Sequence, residues 1–264
     1  MADEKLNKSI QREIQNATVK ILVGGKPEGT GFFITPDGYV LTAYHCIKHK
    51  PTEVVVRTCF DEEFPADLDK AKSLSEGRYD IAVLKVNYQT PHYLPLGVIS
   101  RTYLKDAVEA CGYPASHKPE NKESGLYSGE ISRFREDNRI EIDAIKGQGQ
   151  SGGPIYHYAS NRVIALASAG YKLVVGEEVG KGEIVTDLGL AVRLEPLFDR
   201  WVELESITGQ VAKEWDKRLE QLGVTSPSEK VQNQGVANVT QTVHNYGEVN
   251  KQVNIGHING TVNL

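Results

Sequence analysis

Between residues 17 and 193, short apolar segments alternate with turns that contain Gly, Pro and Asp. Segments such as T-V-K-I-L-V, Y-V-L-T-A and I-A-V-L-K-V are rich in Val and Ile, which favour β-strands. The sequence T-P-D-G between two such segments is a hairpin signal. Many short strands with turns every 8–12 residues or so are typical of a barrel or a sandwich. The pattern therefore predicts an all-β domain and leaves both architectures open.

Helical periodicity flanks this region on both sides. Leu6, Ile10 and Ile14 recur every four residues, which predicts a short amphipathic helix. Apolar residues from Leu197 to Leu222 recur every three or four, and Gly223 is a helix stop signal. The predicted organisation is an N-terminal helix (1–16), a β domain (17–205), a C-terminal helix (206–223), a linker (224–234) and a tail (235–264).

The last 34 residues differ in composition from the rest of the chain: eleven are Asn or Gln, and only Glu248 and Lys251 carry charge. The segment V-N-K-Q-V-N-I (249–255) is echoed nine residues later by I-N-G-T-V-N-L (258–264). Period-two apolar residues among uncharged amides suit a short β-solenoid or a cross-β assembly. A disordered low-complexity tail is the alternative.

Composition limits the possible partners and compartment. The net charge of −5 gives no basic excess for neutralising phosphates, so nucleic acid is not an expected partner. No run of 18 apolar residues predicts a membrane span, and the charged N-terminus does not resemble a signal peptide. Three cysteines without such a signal favour free thiols in a reducing cytoplasm. No metal cluster or cofactor motif appears, so none is expected.

Residues 148–154 read Q-G-Q-S-G-G-P and surround one hydroxyl, Ser151, with glycines. A serine nucleophile needs a base, a carboxylate that orients the base, and two N–H groups for the developing oxyanion. Gly149 permits a turn in which its own N–H and that of Ser151 point the same way. We therefore expect the oxyanion hole at Gly149 and Ser151.

The candidate base is His45, in T-A-Y-H-C at the end of a predicted strand. The candidate carboxylate is Asp80, just before another predicted strand. Each of these residues alone has an ordinary alternative, such as a surface histidine or an aspartate that caps a strand. His157 has no comparable setting and is expected at the surface.

Four blocks in order resemble trypsin/chymotrypsin-fold serine peptidases, closest to the bacterial HtrA/Deg type: G-T-G-F-F-I-T-P-D-G-Y-V-L-T-A-Y-H-C (29–46), Y-D-I-A-V-L-K-V (79–86), A-C-G-Y-P (110–114) and G-Q-S-G-G-P-I (149–155). The resemblance implies two six-stranded antiparallel β-barrels with a closing C-terminal helix. It also implies a His45, Asp80 and Ser151 triad that cleaves proteins or peptides. Gln150 stands where digestive enzymes have Asp, which argues against activation by N-terminal cleavage.

The same resemblance places a specificity pocket. Ile145, six residues before the serine, is expected at its floor. Ser168, Ala169 and Gly170 should form one wall and Gly189 the other. An apolar floor predicts an apolar side chain at P1, the residue before the scissile bond, although Lys146 beside it could admit an acidic one.

The tail carries a second resemblance. The stretch Q-V-N-I-G (252–256) resembles RHIM-like bacterial amyloid signalling motifs, which implies homo-assembly or a sensor partner through residues 235–264. The combined hypothesis is a cytoplasmic effector protease of a bacterial defence or signalling system, activated by assembly. The alternatives are a catalytically idle scaffold with a protease fold and a housekeeping quality-control protease.

Overall fold

The computed structural model describes residues 2–75, 78–114, 123–145, 147, 149–174 and 183–223. The predicted linker at 224–234, the tail at 235–264 and Lys146 lie outside the described residues. Most of the described chain is β-strand, and the strands fall into two consecutive groups.

The first group closes into an antiparallel barrel in the order β1-β2-β3-β6-β5-β4. Its strands are β1 (Thr18–Val23), β2 (Lys26–Phe33), β3 (Tyr39–Ala43), β4 (Val54–Arg57), β5 (Glu63–Leu68) and β6 (Ile81–Val86). Alternate residues of β1, Val19, Ile21 and Val23, belong to one buried cluster with Val40 and Leu84. Period-two side chains of neighbouring strands therefore fill the barrel interior.

The second group closes in the same way, in the order β10-β11-β12-β9-β8-β7. Its strands are β7 (Ala107–Gly112), β8 (Gly125–Phe134), β9 (Arg139–Ile142), β10 (Pro154–His157), β11 (Arg162–Val174) and β12 (Glu183–Arg193). Ile131, Ile140, Ile142 and Ile155 lie in its core. Two closed six-stranded barrels confirm the predicted fold class and exclude the sandwich.

The described residues also form the helices α1 (Ala2–Ala17), α2 (Tyr44–Ile47), α3 (Glu195–Arg200) and α4 (Leu204–Gln221), with one 3₁₀ turn, Arg101–Tyr103. A third buried cluster contains Ile14 of α1, Phe32 of the first barrel, Tyr156 of the second barrel and Trp215 of α4. The barrels are therefore held against each other by apolar side chains from both termini of the described chain.

Ion pairs also connect α4 to α1 and to the second barrel. Arg218 of α4 donates to Glu13 of α1 over 2.8 Å, and Arg162 of β11 makes two 2.9 Å hydrogen bonds to Asp216 of α4.

Within the described ranges, no helix has the length and apolar character needed to cross a membrane.

Candidate active site

His45 follows β3 directly and lies on the short helix α2. The register of β3 and β6 pairs Ala43 with Ile81. Tyr44 and Asp80, the neighbours of this pair, are also in contact, since the Tyr44 N–H donates to the Asp80 carbonyl over 3.2 Å. His45 then lies beside the Asp80 side chain, with its N–H 2.8 Å from Oδ1 and its Nδ1 2.7 Å from Oδ2. Strand pairing thus brings together two residues that are 35 positions apart.

Asp80 occupies an unusual backbone conformation, with φ of +42°. Asp and Asn enter this left-handed region more readily than other residues with a side chain. Its carboxylate is 13 % exposed and accepts a third hydrogen bond from the Ser168 hydroxyl over 3.0 Å. Three donors on one largely buried carboxylate favour its ionised form.

The two side chains shift each other's titration in opposite directions. The hydrogen bond to the Asp80 carboxylate raises the pKa of His45 above its ordinary value, and burial opposes this rise only in part. Burial acts to raise the pKa of Asp80, but the hydrogen bonds from His45 and Ser168 outweigh it, and the pKa of Asp80 lies below its usual range. The ionised carboxylate holds the proton of His45 on Nδ1, so Nε2 is the nitrogen that can accept another.

Ser151 lies in the turn of residues 149–153 before β10, which we term the serine turn. Gly149 takes φ of +92° and Gly152 takes φ of +86°, values that side-chain-bearing residues rarely adopt. The sequence-based expectation of a glycine-dependent turn therefore corresponds to the observed backbone. Ser151 itself is partly exposed.

The serine turn packs directly against the backbone of both barrels. A Cβ added to Gly152 would lie 2.2 Å from the carbonyl oxygen of Thr30 and 2.4 Å from Oγ1 of Thr42, in the first barrel. A Cβ added to Gly153 would lie 2.1 Å from the carbonyl oxygen of Cys111, in the second barrel. Neither position has room for a side chain, so both glycines are required by space, and Gly152 is required by its dihedral angle as well.

Ser168 joins the serine turn to Asp80. The turn continues the pairing of β10 with β11, because the Ala167 N–H donates to the Gly153 carbonyl over 2.9 Å. The next residue, Ser168, accepts the Ser151 hydroxyl on its carbonyl over 2.8 Å. Its own hydroxyl donates to Asp80. The sequence assigned Ser168 only to a pocket wall and gave no sign of this second contact, which depends on tertiary structure.

In this conformation, no hydrogen bond between described residues joins the Ser151 hydroxyl to Nε2 of His45. The two segments are nevertheless adjacent, because the thiol of Cys46 lies 3.8 Å from the Ser151 carbonyl oxygen. Cys46, Cys59 and Cys111 are all free thiols. The structure thus brings His45, Asp80 and Ser151 to one place between the barrels.

A cleft of about 400 Å³ opens beside the His45–Asp80 pair. Its lining also includes Lys48, Arg139 and Ser168. Among the described residues, no group of three or more His, Cys, Asp or Glu side chains is arranged to hold a metal ion.

The expected pocket residues lie close to one another on the second barrel. Ile145 is buried, and a Cβ added to Gly189 would lie 2.3 Å from its Cβ. Ala169 pairs with Leu190, and Gly170 pairs with Gly189, across β11 and β12. Ile145 and Gly189 do not line the cleft beside the triad.

The prediction that His157 lies at the surface is wrong. Its side chain is fully buried, with Nδ1 2.8 Å from the Ser160 hydroxyl and Nε2 3.0 Å from Asp106. The ring also stacks on Tyr103. Burial lowers the pKa of His157 although Asp106 opposes the change. This group links β10 to the loop before β7.

A two-barrel fold that places His, Asp and Ser from three distant segments between its barrels defines the class of trypsin-like serine peptidases. The family model described as "Trypsin-like peptidase domain" matches residues 29–166, which contain all three side chains. The chain belongs to this family.

Curated relatives specify the resemblance further. A probable periplasmic serine endoprotease, DegP-like, from Rickettsia prowazekii is 29 % identical over 189 residues, which is 68 % of this chain and 34 % of that protein. A protein of the same name from Bartonella henselae is 30 % identical over 171 residues, 63 % of this chain and 31 % of the relative. The chain therefore spans about a third of the length of these relatives. Their names place them in the periplasm, which disagrees with the cytoplasmic expectation for this chain.

Solved structures give the same fold. The serine endoprotease from Yersinia pestis superposes with a TM-score of 0.57 at 21 % sequence identity. The match covers 75 % of this chain and 65 % of the other. It supports the two-barrel architecture independently of the sequence motifs.

Proposed function

We propose that this protein is a serine endopeptidase that hydrolyses peptide bonds with Ser151 as nucleophile, His45 as general base and Asp80 as the carboxylate that orients the base. The observation that carries the proposal is the 2.7 Å contact between Nδ1 of His45 and Oδ2 of Asp80. It lies at the place where Ser168 connects Asp80 to the candidate nucleophile.

The reaction begins when the Ser151 hydroxyl turns from the Ser168 carbonyl to Nε2 of His45. His45 takes the hydroxyl proton as Oγ attacks the substrate carbonyl, and the N–H groups of Gly149 and Ser151 receive the oxyanion. The tetrahedral intermediate expels the amine, which takes the proton from His45. Water then attacks the acyl-enzyme by the same route, so that the acid leaves and Ser151 regains its proton.

A fluorophosphonate probe tests this assignment, because it phosphonylates only an activated serine. We expect the full-length protein to gain one adduct by mass spectrometry and Ser151→Ala to gain none. Ser151→Ala should also lower peptide hydrolysis by about 10⁴-fold or more. A full-length protein that resists the probe in every assembly state supports the idle scaffold instead.

For the substrate, we propose an apolar P1 side chain. Ile145 and Gly189 form a buried apolar contact at the predicted pocket floor, and neither offers a counter-ion for Lys or Arg. A peptide library that varies P1 should give the highest kcat/KM with apolar residues. An acidic P1 preference would instead implicate Lys146.

We propose further that residues 235–264 assemble and thereby raise the local concentration of peptidase domains in a bacterial defence or signalling system. The support is the sequence: the repeated segments 249–255 and 258–264 alternate Val, Ile or Leu with uncharged amides. Such segments stack with Asn ladders outside and a dry apolar interior. Clustering of peptidase domains increases their encounters without any new contact between them.

Sedimentation velocity tests the assembly proposal. Deletion of 231–264, or Val253→Lys with Ile255→Lys in the full chain, should abolish large species and leave hydrolysis of a short peptide nearly unchanged. Gln232→Lys with Gln234→Lys adds the same two charges outside the repeated segments and is the matched control. Large species that persist in both the deletion and the double variant contradict the proposal.

The names of the relatives include the word periplasmic, which favours a location outside the cytoplasm and with it a second candidate, a quality-control endoprotease. The three free cysteines favour the cytoplasm, where thiols stay reduced. Fractionation of cells that express the full chain distinguishes the two: recovery with a cytoplasmic marker supports the effector role, and release with the periplasm supports the second candidate.

A further inference from the structure

Thr30 lies at the centre of the contact between the first barrel and the serine turn. It belongs to β2 and is fully buried. Its hydroxyl donates to the Gly149 carbonyl over 2.6 Å and accepts the Tyr113 N–H over 2.9 Å. Its backbone N–H donates to the Ser151 carbonyl over 2.8 Å. One residue of the first barrel thus binds the turn at two points, on either side of Gln150.

These two points constrain the direction of one candidate oxyanion donor, the Ser151 N–H. Gly149 has no side chain, and its φ of +92° is one of several values that glycine adopts at little cost. A turn built on glycine therefore needs an external contact to hold one orientation. When the carbonyls of Gly149 and Ser151 are both fixed, the backbone between them is fixed, and with it the Ser151 N–H, one of the two that must point at the substrate oxygen.

The Thr30 hydroxyl is also held by the second barrel, through the N–H of Tyr113. Tyr113 follows β7, and its own hydroxyl lies 3.3 Å from the Thr18 carbonyl of β1. A Cβ added to Gly112 would lie 3.1 Å from both Oγ1 of Thr30 and Cα of Gln150. The second barrel therefore lies close to the Thr30 hydroxyl, which has both a donor and an acceptor as partners.

We propose that Thr30 is a positioning residue for the oxyanion hole of the peptidase reaction: its hydroxyl and its N–H fix the carbonyls of Gly149 and Ser151, and thereby the direction of the Ser151 N–H. The inference rests on the proposed function. Thr30 touches no substrate atom and acts only through the serine turn. Its loss should therefore lower kcat and leave KM nearly unchanged, because the hole binds the oxyanion more tightly than the ground-state carbonyl.

Two substitutions in the full-length protein separate the hydroxyl from the shape of the side chain. Thr30→Val keeps the branched shape and removes the hydrogen bonds, and we expect kcat for a peptide to fall about 10- to 100-fold with KM within twofold. Thr30→Ser keeps the hydroxyl and should stay within about threefold of the parent protein. Thr18→Val is the matched control, since the buried Thr18 hydroxyl donates to the Ile14 carbonyl, outside the turn. It should lower the melting temperature and leave kcat within about twofold.

A second readout isolates the oxyanion itself. A peptidyl trifluoromethyl ketone, labelled with ¹³C at its carbonyl, adds to Ser151 and places an oxyanion where the hole should be. In Thr30→Val, the pKa of this hemiketal, followed by NMR, should rise by about one unit, which corresponds to a tenfold weaker stabilisation of the anion. A change confined to stability would leave this pKa unmoved.

The outcomes are distinct. Parental kcat and an unmoved hemiketal pKa in Thr30→Val overturn this inference and leave the proposed function in place. Equal losses in Thr30→Ser and Thr30→Val also overturn it, since they indicate packing alone. A parent protein that neither labels with fluorophosphonate nor hydrolyses peptides overturns the proposed function, and this inference with it.

Discussion

The two barrels contribute to the site by different physical means. The first barrel provides His45 and Asp80: the Asp80 carboxylate accepts a hydrogen bond of 2.7 Å from the His45 ring and one of 2.8 Å from the His45 backbone N–H. The second barrel provides the serine turn, in which glycines occupy spaces that admit no Cβ. The His45–Asp80 half of the site depends on charge, whereas the serine turn depends on glycines at positions that have no room for a side chain.

This difference predicts different sensitivities. A change of charge at equal volume should damage the His45–Asp80 half through chemistry while the fold survives. A change of volume at equal charge should damage the serine turn through its packing. The following substitutions test the contrast, in order of expected effect.

Asp80→Asn keeps the shape of the side chain and removes its charge. We expect kcat to fall about 10³- to 10⁴-fold, since an amide no longer enforces the Nδ1–H tautomer of His45. The carboxylate raises the pKa of His45, so the parent loses activity as falling pH protonates Nε2. In Asp80→Asn, the acid limb of the pH–rate profile should move to lower pH. Asp37→Asn, at an exposed carboxylate, should leave rate and profile unchanged; a loss of equal size there contradicts the contrast.

Gly152→Ala keeps the charge and adds one methyl group. Its Cβ would lie 2.2 Å from the Thr30 carbonyl oxygen at a φ of +86°. We expect the free energy of unfolding to fall by about 1–3 kcal/mol and hydrolysis to fall at least about 100-fold. Denaturant titration and peptide kinetics measure the two effects.

Gly209→Ala in α4 is the control for that substitution, because no atom lies within 4 Å of its added Cβ. It should raise the free energy of unfolding by up to about 1 kcal/mol, as Ala replaces Gly within a helix. Activity should be unchanged. Similar destabilisation by Gly152→Ala and Gly209→Ala would show that the serine turn has no special need for space.

Ser168→Ala tests the residue that belongs to both halves. The substitution removes one of the donors to Asp80 and leaves the carbonyl that accepts the Ser151 hydroxyl. The pKa of Asp80 should rise towards its usual range, and kcat should fall about 3- to 10-fold. An NMR titration of the carboxyl group measures the first effect, and an unshifted titration would mean that the Ser168 hydroxyl does not stabilise the carboxylate.

Asp216→Asn lies outside both halves and should have the smallest effect. It breaks the two-point contact from Arg162 to α4, which is partly exposed to solvent. We expect a loss of about 0.5–1 kcal/mol in unfolding free energy and no change in kcat. A large loss of activity would mean that α4 supports the site as strongly as the barrels do.

Both barrels could be predicted through the resemblance of four ordered blocks to a known fold, and each block combines strand-forming residues with a residue type that its chemistry needs. His45 and Asp80 were recognisable at the ends of predicted strands, and Ser151 was recognisable between its glycines. Three residues far apart could be grouped only through the resemblance to a known fold, since periodicity alone did not distinguish a barrel from a sandwich.

Contacts that depend on tertiary structure could not be predicted in this way. Thr30 was visible in G-T-G-F-F, but its hydroxyl meets the carbonyl of Gly149, 119 residues away. The hydroxyl of Ser168 reaches Asp80 across the interface of the barrels, 88 residues away. His157 is buried because its partners Asp106 and Ser160 satisfy both ring nitrogens, and no local pattern signals that arrangement.

Because each barrel provides part of the site, peptidase activity can begin only after both barrels have been synthesised. A ribosome that releases His45 and Asp80 must still synthesise the 71 residues up to Ser151, which takes about 4–14 s at ordinary translation rates. However early the first barrel folds, the nascent chain then carries the proposed base without the proposed nucleophile. Cleavage of neighbouring nascent chains therefore cannot begin until the second barrel has emerged and closed against the first.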